Sequence, residues 1–511
     1  MNKKVLVLNM GMKSIRSIIY DQNGNRLASS SRLLSTGLNE SYVFQDADEW
    51  WENAGKVIKE SLKNAQCGTI DYITVTASAS CLVYVDGDCN ALDKCIMVSD
   101  KRAEEECRKI SRMESFRRIN RETGQDISAS SMLARILWVK KNQPEHYSNT
   151  NYFLSPNDFL IAKMTGEYVT DVYNALKYHY SMEKNSYPEE ILSELELDAA
   201  KLPRVVPVGT NVGTVKKEAA EFLGLPASVE VIVTTYDAIC SFFGSGVTEE
   251  GAVSDVSGTV TVLRSLSYKE NLVPSQAVLT IPYPQKRCYI VGGSNNLGGG
   301  LIEWTKQCYY NREEFPYEMM ERDAQESPIG AGGVIFLPYL LGERAPIWDD
   351  VVRGCFFGLE RFHTRKDMTR AVFESTGFIA MDFMNEIEKT GVEVKNIRVS
   401  GGLARFHLIS QIKSDITGKE VQVLSDFETT AAGAAMLVME AVGIFSDMQE
   451  AAQTFADIRM LIKPSYRNHL KYQKIYQLFK QIYEETKGLF QERKNLYHDI
   501  YHTRDCTIEN I

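Results

Sequence analysis

Three glycine-containing turns carry the residue types that can hold a polyphosphate. They lie at residues 9–14, 257–259 and 400–402. Glycine lets the main chain approach a phosphate closely, and successive amide N–H groups form a concavity that binds anions. Each of the first two turns separates two apolar runs of strand type, whereas the familiar phosphate loops lead directly into a helix. Two such hairpins facing each other would clamp a polyphosphate from both sides; taken singly, each turn has the alternative of only reversing the chain.

The third turn differs from the first two because a predicted helix follows it. Its glycine backbone would offer a flat surface for a nucleotide base. The sequence has no G-x-x-x-x-G-K-[ST] motif, and no G-x-G-x-x-G motif follows a predicted strand. A P-loop is therefore excluded, and a nucleotide site in this chain would have to use the glycine turns.

Asp237 is the candidate for acid–base chemistry. It lies in "TTYDAICSFFG", after a β-rich run and before a predicted helix. A carboxylate in that position can accept the proton of a substrate hydroxyl. The alternative is that Asp237 is the N-cap residue of the helix.

The elements that must position these residues form two similar sets. Residues 1–35 predict strands joined by the first turn, and the pattern of strand, glycine turn and strand recurs after Gly246. The two stretches lie about half the chain apart, which is a weak internal repeat. The repeat predicts two halves of related architecture, with an N-terminal domain at residues 1–246 and a C-terminal domain at residues 247–511.

Other elements follow from periodicity and capping signals. Helices are predicted after an N-cap residue at Asp46 or Asp48, at residues 130–142 and at residues 429–445, and charged helices close the chain. Residues 72–78 and 81–90 predict another strand pair, closed by Asp86-Gly87.

Composition limits the class of protein. The chain has 511 residues and a formal net charge of −10, which argues against a nucleic-acid partner. Its ten cysteines form no C-x-x-C pair, so a zinc site or redox motif is not expected. Lys13 interrupts the N-terminal apolar run, and no run is long enough to span a membrane. We expect a cytoplasmic protein with no membrane partner.

Long segments of the chain carry the motifs of a known family. "GCFFGLERFHTRKDMTRAVFE" at residues 354–374 fits a family signature at every defined position, and "GERAP" is similar to a G-E-R-x-P segment. "ILWVKKN" resembles a further signature, with Arg135 where lysine is usual. The chain thus resembles the FGGY carbohydrate kinases, which include xylulose, gluconate, glycerol and ribulose kinases. The resemblance implies an α/β, two-domain actin-like ATPase (ribonuclease H-like) fold with duplicated halves around a cleft.

The resemblance also implies roles for single residues. Asp237 matches the catalytic base, and Asp100 matches an aspartate that contacts the sugar; the alternative for Asp100 is an ion pair with Arg102. Ser78 and Ser80 lie in the matching sugar-side segment, where xylulose kinases tend to carry G-Q-M-H-G. This departure leaves the sugar unassigned. The positions that match nucleotide contacts are Gly11, Met12, Gly258 and Thr259 near the phosphates, and Gly401, Gly402, Ala404 and Glu428 near adenine.

The first turn departs from the family at its two polar side chains. The family motif is D-x-G-T, and this chain has Asn9-Met10-Gly11-Met12. The family aspartate helps to hold the metal through its water shell, so Asn9 is expected to be a weak metal contact through water. The alternative is that Asn9 only suits the turn, since asparagine tolerates unusual backbone angles. Lys13 adds a cation that would lie near the phosphates and partly replace the charge of the metal.

The resulting interpretation is ATP-dependent phosphorylation of a hydroxyl of a small sugar, sugar acid or polyol, with ATP and Mg²⁺ as cofactors. The alternative is a degenerate relative that binds nucleotide or sugar without efficient turnover. A filament-forming or chaperone ATPase of the actin type is disfavoured by the sugar-kinase signatures. The sequence does not determine the oligomeric state, and a homodimer is one alternative.

Overall fold

The structure, a computed structural model, describes residues 2–39, 42–66, 69–123, 126–269, 272, 275, 277–283 and 287–502. The elements up to residue 248 are β1 (Lys4–Met10), β2 (Ser14–Asp21), β3 (Arg26–Leu33), β4 (Gly37–Asn39), β5 (Tyr42–Gln45), α1 (Ala47–Ala65), β6 (Tyr72–Ala77), β7 (Val83–Val85), β8 (Cys95–Ile96), α2 (Glu104–Ser111), α3 (Glu114–Thr123), α4 (Met132–Asn142), α5 (Pro144–Asn149), β9 (Tyr152–Leu154), α6 (Pro156–Thr165), β10 (Val169–Asp171), α7 (Val172–Ala175), α8 (Glu189–Glu194), β11 (Arg204–Val206), β12 (Asn211–Thr214), α9 (Lys217–Leu223), β13 (Glu230–Ile232) and α10 (Asp237–Gly244).

The elements after residue 248 are β14 (Ala252–Ser257), β15 (Thr261–Ser267), β16 (Leu279–Tyr283), β17 (Cys288–Ser294), α11 (Gly299–Tyr309), α12 (Pro316–Glu326), β18 (Ile335–Leu337), β19 (Cys355–Phe357), α13 (Arg365–Lys389), β20 (Asn396–Gly401), α14 (His407–Thr417), β21 (Glu420–Leu424), α15 (Thr429–Ala441), α16 (Met448–Phe455), β22 (Ile458–Ile462) and α17 (Tyr466–His502). Short 3₁₀ helices occur as well, among them Gly402–Arg405.

The chain divides into two compact units. The first consists of Met1–Thr248 and Glu428–Ala456, and the second of Glu249–Phe427 and Asp457–Ile511. The division at residue 248 lies next to the sequence boundary at 246. The structure also returns residues 428–456 to the first unit, although the sequence interpretation kept them in the C-terminal half.

The first unit is built on a six-stranded sheet. Its strand order is β12-β13-β6-β1-β2-β3. β1 pairs with β2 as an antiparallel hairpin and with β6 in parallel, and β13 pairs in parallel with β6. The apolar residues of β1 and β2 are buried, which is why two consecutive strand-type runs fold into the centre of the sheet. The predicted first hairpin is confirmed.

The second unit repeats this arrangement in a seven-stranded sheet. Its order is β16-β17-β15-β14-β20-β21-β22. β14 pairs with β15 as an antiparallel hairpin and with β20 in parallel, and β21 pairs in parallel with β20. The hairpin and its two parallel neighbours thus match β1, β2, β6 and β13 of the first unit. The predicted α/β fold with two halves of related architecture is confirmed.

Several local predictions are confirmed and one is wrong. α1 begins after the N-cap residue Asp46, whose carboxylate accepts the Asp48 N–H. α4 ends before Pro144, as the sequence predicts. The predicted pairing of residues 72–78 with 81–90 is wrong, because β6 lies in the six-stranded sheet whereas β7 pairs with β9. The five residues between β6 and β7 therefore form a loop that leaves the sheet.

Helices α10 and α15 pack with their main chains in direct contact within the first unit. A Cβ atom added at Gly433 would lie 1.8 Å from the Cys240 carbonyl oxygen, and one added at Gly244 would lie 1.9 Å from the Thr429 carbonyl oxygen. No real Cβ atom tolerates such distances, so only glycine permits the helices to approach this closely. The contact joins the helix that starts at Asp237 to the segment that returns from the C-terminal half.

We expect Gly433→Ala to lower the thermal unfolding midpoint, since overpacking a fitted contact costs about 1–3 kcal/mol. Gly488→Ala is the matched control, because Gly488 lies in α17 with open space around it. That control should raise stability slightly, since alanine is favoured over glycine in a helix by roughly 0.5–1 kcal/mol. Equal midpoints for the two variants would contradict the close helix contact.

Candidate active site

Three candidate residues of the first unit follow the carboxyl ends of neighbouring parallel strands. Gly11 follows β1, Ser78 follows β6, and Asp237 follows β13 after a short link. β1 and β6 are in register, with Asn9 opposite Thr76, and the Ser78 N–H donates to the Met10 carbonyl oxygen at 3.0 Å. Because parallel strands end at the same edge of a sheet, the fold brings these residues together.

A hydrogen bond from the buried Gln45 side chain stabilises the first glycine turn. Gln45 Nε2 donates to the Met12 carbonyl oxygen at 2.8 Å, and Trp50 Nε1 donates to Gln45 Oε1 at 2.9 Å. The Gly11 N–H donates to the Ser14 carbonyl oxygen inside the turn. The Gly11 amide therefore closes the turn, and a phosphate contact would use the following amides, those of Met12 and the exposed Lys13.

Asp237 begins α10 and is half-buried. The N-cap residue of that helix is Tyr236, so the N-cap alternative for Asp237 is wrong by one position. Ser78 Oγ donates a 3.0 Å hydrogen bond to Asp237 Oδ2. A carboxylate at a helix N-terminus is stabilised in its charged form by the helix dipole. The charged form is the one that can accept a proton.

Asp100 has the ion pair that the sequence offered as an alternative. Its carboxylate accepts from Arg102 Nε at 2.9 Å and from Arg102 NH2 at 2.8 Å, and it also accepts the Val43 N–H at 2.6 Å. Asp100 is 1% exposed. These bonds bind Asp100 to its own loop and to β5, so the carboxylate is a structural anchor of the loop that follows β8.

The second and third glycine turns lie side by side in the second unit. Ser257 and Gly401 are opposite each other in the parallel pair β14–β20. Gly401 has φ +81°, and a Cβ added there would lie 2.5 Å from the Ser257 carbonyl oxygen. Glycine is therefore required at this position by both conformation and space. Gly258 and Thr259 are exposed beside it, and Ala404 is buried in the 3₁₀ turn that follows.

The amino end of α11 closes the second turn. The Gly299 N–H donates to the Gly258 carbonyl oxygen at 2.8 Å, and the Gly298 N–H donates to the Thr259 carbonyl oxygen at 2.8 Å. This glycine run was not singled out in the sequence. Its signal was present as "NNLGGG" before an apolar helix.

A buried ion pair joins the two glycine turns of the second unit. Asp255 of β14 accepts from Lys413 Nζ of α14 through Oδ2 and from Ser257 Oγ at 2.7 Å through Oδ1. Both ionic side chains are at most 3% exposed. Since α14 follows the third turn and β14 precedes the second, the pair fixes the spacing of the two turns.

Arg16 is a charged residue near the first turn that sequence reasoning missed. It lies on β2 opposite Asn9 and forms an ion pair with Glu428, which the resemblance places near adenine. Both side chains are about one-third exposed. Exposed ion pairs typically contribute about 0–1 kcal/mol, so this pair orients the two side chains more than it stabilises the fold.

The fit of a metal ion was tested on the donor groups. Within the described ranges, no group of three or more His, Cys, Asp or Glu side chains could hold a metal. Asn9 is 1% exposed, and its Nδ2 atom has no hydrogen-bond partner among the described residues. A buried amide without a partner is costly, so this atom fits a bound polar ligand or water. Mg²⁺ usually needs only one or two protein ligands beside the phosphates of a nucleotide.

Models of a known protein family match both parts of the chain. The model of the N-terminal domain of the FGGY family of carbohydrate kinases matches residues 4–244, and the model of its C-terminal domain matches residues 254–442. The chain belongs to the FGGY family of carbohydrate kinases. These enzymes are phosphotransferases, and they use ATP, normally with Mg²⁺. This chain is accordingly a carbohydrate kinase.

Relatives with assigned names extend over nearly the whole FGGY chain. A xylulose kinase of Staphylococcus epidermidis is 28% identical over 480 residues, which cover 93% of this chain and 95% of the relative. A gluconokinase of Bacillus subtilis is 24% identical over 456 residues, with 87% and 88% covered. The gluconate kinase structure from Lactobacillus acidophilus matches with a TM-score of 0.87 at 24% identity, covering 96% of this chain and all of that one. It supports the fold. None of the helices in the described ranges is long and apolar enough to cross a bilayer.

We expect Lys413→Met to destabilise the second unit strongly, because removing one partner of a buried ion pair typically costs about 3–5 kcal/mol. The apparent free energy of unfolding in urea measures this. Lys487→Met is the matched control, since Lys487 forms an exposed pair with Glu484. The double variant Asp255→Asn/Lys413→Met should recover part of the loss. A loss no larger than that of the control would show that the buried pair is unimportant for stability.

Proposed function

We propose that this FGGY kinase transfers the γ-phosphoryl group of ATP to a hydroxyl of a small sugar, sugar acid or polyol. The position of Asp237 carries the proposal. It lies at the carboxyl end of β13, beside Ser78 and in the same unit as the first glycine turn. A base in that position can remove the proton of a hydroxyl that attacks phosphorus.

The proposed step is a direct transfer. The substrate oxygen bonds to the γ-phosphorus, the bond from that phosphorus to the bridging oxygen of ADP breaks, and Asp237 takes the hydroxyl proton and later releases it to water. Bound Mg·ATP supplies the phosphoryl group and a neutralised leaving group. The protein contributes mainly by positioning the hydroxyl and by offering hydrogen-bond donors to the phosphates.

We assign the two units different shares of this work. The first unit supplies Asp237, the sugar-side loop and the first glycine turn. The second unit supplies the turns for phosphate and adenine, with Gly258 and Thr259 on one and Gly401 and Gly402 on the other. The parallel register of β14 and β20 supports this assignment, since it brings both turns to one sheet edge.

The substrate is proposed as a class. The named relatives are kinases of xylulose or gluconate. Both compounds carry several hydroxyl groups. In this chain the sugar-side segment carries the short side chains of Ser78 and Ser80 where xylulose kinases tend to carry longer ones. Short hydroxyl side chains leave more room, so the screen should include ketopentoses, aldonates and polyols. ADP formation that depends on one of these compounds tests the function.

Asp237→Asn should retain the fold and ATP binding but lower turnover by roughly 10²–10⁴-fold, the usual contribution of a positioned base. Asp86→Asn is the matched control, because Asp86 is a turn residue of the same unit that accepts the Asn90 N–H. Initial rates of ADP formation with the best compound of the screen measure both. Near-normal turnover of Asp237→Asn would show that another group takes the proton.

Asn9→Asp should bind Mg·ATP more tightly and need less Mg²⁺ for half-maximal activity. The amide of Asn9 can accept hydrogen bonds from metal-bound water but lacks charge, whereas Mg²⁺ prefers charged oxygen ligands. Calorimetric titration with ATP at several Mg²⁺ concentrations checks this without turnover. Asn9→Ala controls for the loss of the amide. Coincident Mg²⁺ curves for the native and Asn9→Asp proteins would exclude residue 9 from the metal site.

A further inference from the structure

The loop at residues 78–82, between β6 and β7, has a conformation that needs support. Ser80 has φ +59°, in the left-handed region that residues other than glycine rarely adopt. It is 9% exposed, so its backbone groups need partners inside the protein. The loop also leaves the sheet within five residues. Something outside the loop must hold it in this shape.

Arg135 supplies that support from α4. Its side chain is fully buried, and its guanidinium binds main-chain oxygens from three segments. Its N–H groups donate to the carbonyl oxygens of Ser80, Ile96, Met97, Val98, Asp100 and Ala129. In the described part of the chain, no carboxylate forms an ion pair with it. Burial lowers the pKa of Arg135 to about 10, so the group still carries its charge at neutral pH.

A shift of the loop between β6 and β7 would therefore raise the free energy of the protein. A buried cation whose hydrogen bonds all go to carbonyl oxygens loses stabilisation whenever one of those carbonyls moves away. The Ser80 carbonyl oxygen is one of them, and the left-handed conformation of Ser80 directs it to the guanidinium. A lysine offers a single point of charge, whereas the arginine fork reaches several oxygens at once.

The loop in turn carries the hydroxyl that touches the proposed base. Ser78 lies two residues before Ser80, its N–H is bound to the end of β1, and its Oγ donates to Asp237 Oδ2. A carboxylate can accept several hydrogen bonds, so a bond to Ser78 limits its rotation and leaves acceptor capacity for a substrate hydroxyl. Cys81 lies in the same loop and is fully buried, and its Sγ contacts the Ala79 carbonyl oxygen at 3.8 Å.

We propose that Arg135 is a positioning residue that fixes the loop at residues 78–82, and that Ser78 acts from this loop on Asp237 rather than on the sugar. The proposal rests on the function proposed above. It assigns Ser78 the task of orienting the carboxylate that receives the proton. It assigns Arg135 the task of keeping Ser78 within hydrogen-bond distance.

The first test separates a role on the base from a role on the sugar. Ser78→Ala should lower kcat about tenfold, the usual factor for losing a hydrogen bond to a charged group. KM for the sugar should stay within about twofold, because uniform substrate binding is unaffected. Ser78→Thr, which retains the hydroxyl, should restore most of kcat. A raised KM with an unchanged kcat would assign Ser78 to the sugar and overturn this part.

The second test measures the coupling between the two residues. Arg135→Lys should lower kcat in the native background but by less than about twofold in the Ser78→Ala background, since coupled residues are non-additive. Arg370→Lys is the matched control: Arg370 is 6% exposed in the second unit and binds Glu374 and Tyr472. Its effect should be the same in both backgrounds. Equal effects of Arg135→Lys in both backgrounds would reduce Arg135 to a stabilising residue.

A third readout needs no turnover. Burial raises the pKa of the Cys81 thiol to about 11, so alkylation at pH 8 should be slow in the native protein. Arg135→Lys should accelerate labelling of the Cys81 peptide, measured by mass spectrometry, whereas Arg370→Lys should not. If labelling of Cys81 is unchanged, Arg135 does not fix the loop, even if the kinetics of the variant change. If no sugar yields ADP but the labelling difference is present, the proposed function is wrong, whereas the role of Arg135 in fixing the loop is supported.

Discussion

The parallel register of a few central strands determines where the three glycine turns, Ser78 and Asp237 of this kinase lie. In the first unit, β1, β6 and β13 end at the same edge and deliver the first glycine turn, the Ser78 loop and Asp237. In the second unit, β14 and β20 end together and deliver the second and third turns. Main-chain hydrogen bonds set this register, and the buried apolar faces of the strands prevent a slip, because a shift by one residue would expose them.

Buried charged side chains fix the local positions of the turns and loops that the sheets bring together. Lys413 and Asp255 lie between β14 and α14, and Arg135 lies among carbonyl oxygens beneath the sugar-side loop. Such groups are expensive to bury, and apolar replacements of similar volume are often as stable. They restrict geometry instead. A buried charged donor is stabilised only when its hydrogen-bond partners lie in a few arrangements, so it selects one conformation of a loop or one spacing of two turns.

Local signals in the sequence were sufficient for the hairpins, for α1 after Asp46 and for the helix that begins near Asp237. The family motifs led to the correct family. The contacts that give the site its chemistry could not be predicted, because they join residues far apart in the chain: Ser78 with Asp237, Arg16 with Glu428, and Arg135 with Ser80. The wrong pairing of residues 72–78 with 81–90 has the same cause. Both runs are strands, but β7 finds its partner in β9, which lies about 70 residues further along.

The return of residues 428–456 to the first unit has a consequence for how the protein is made. α10 packs against α15 with its main chain at Cys240 and Gly244, where Gly433 allows the close approach. A ribosome adds roughly 5–20 residues per second, so α15 follows α10 only after roughly 10–40 seconds. During that interval all six strands of the first unit's sheet have been made, but α10 still lacks α15. A helix without its packing partner is a natural substrate for chaperones, and the completed unit cannot be obtained from any contiguous N-terminal fragment that stops before α15.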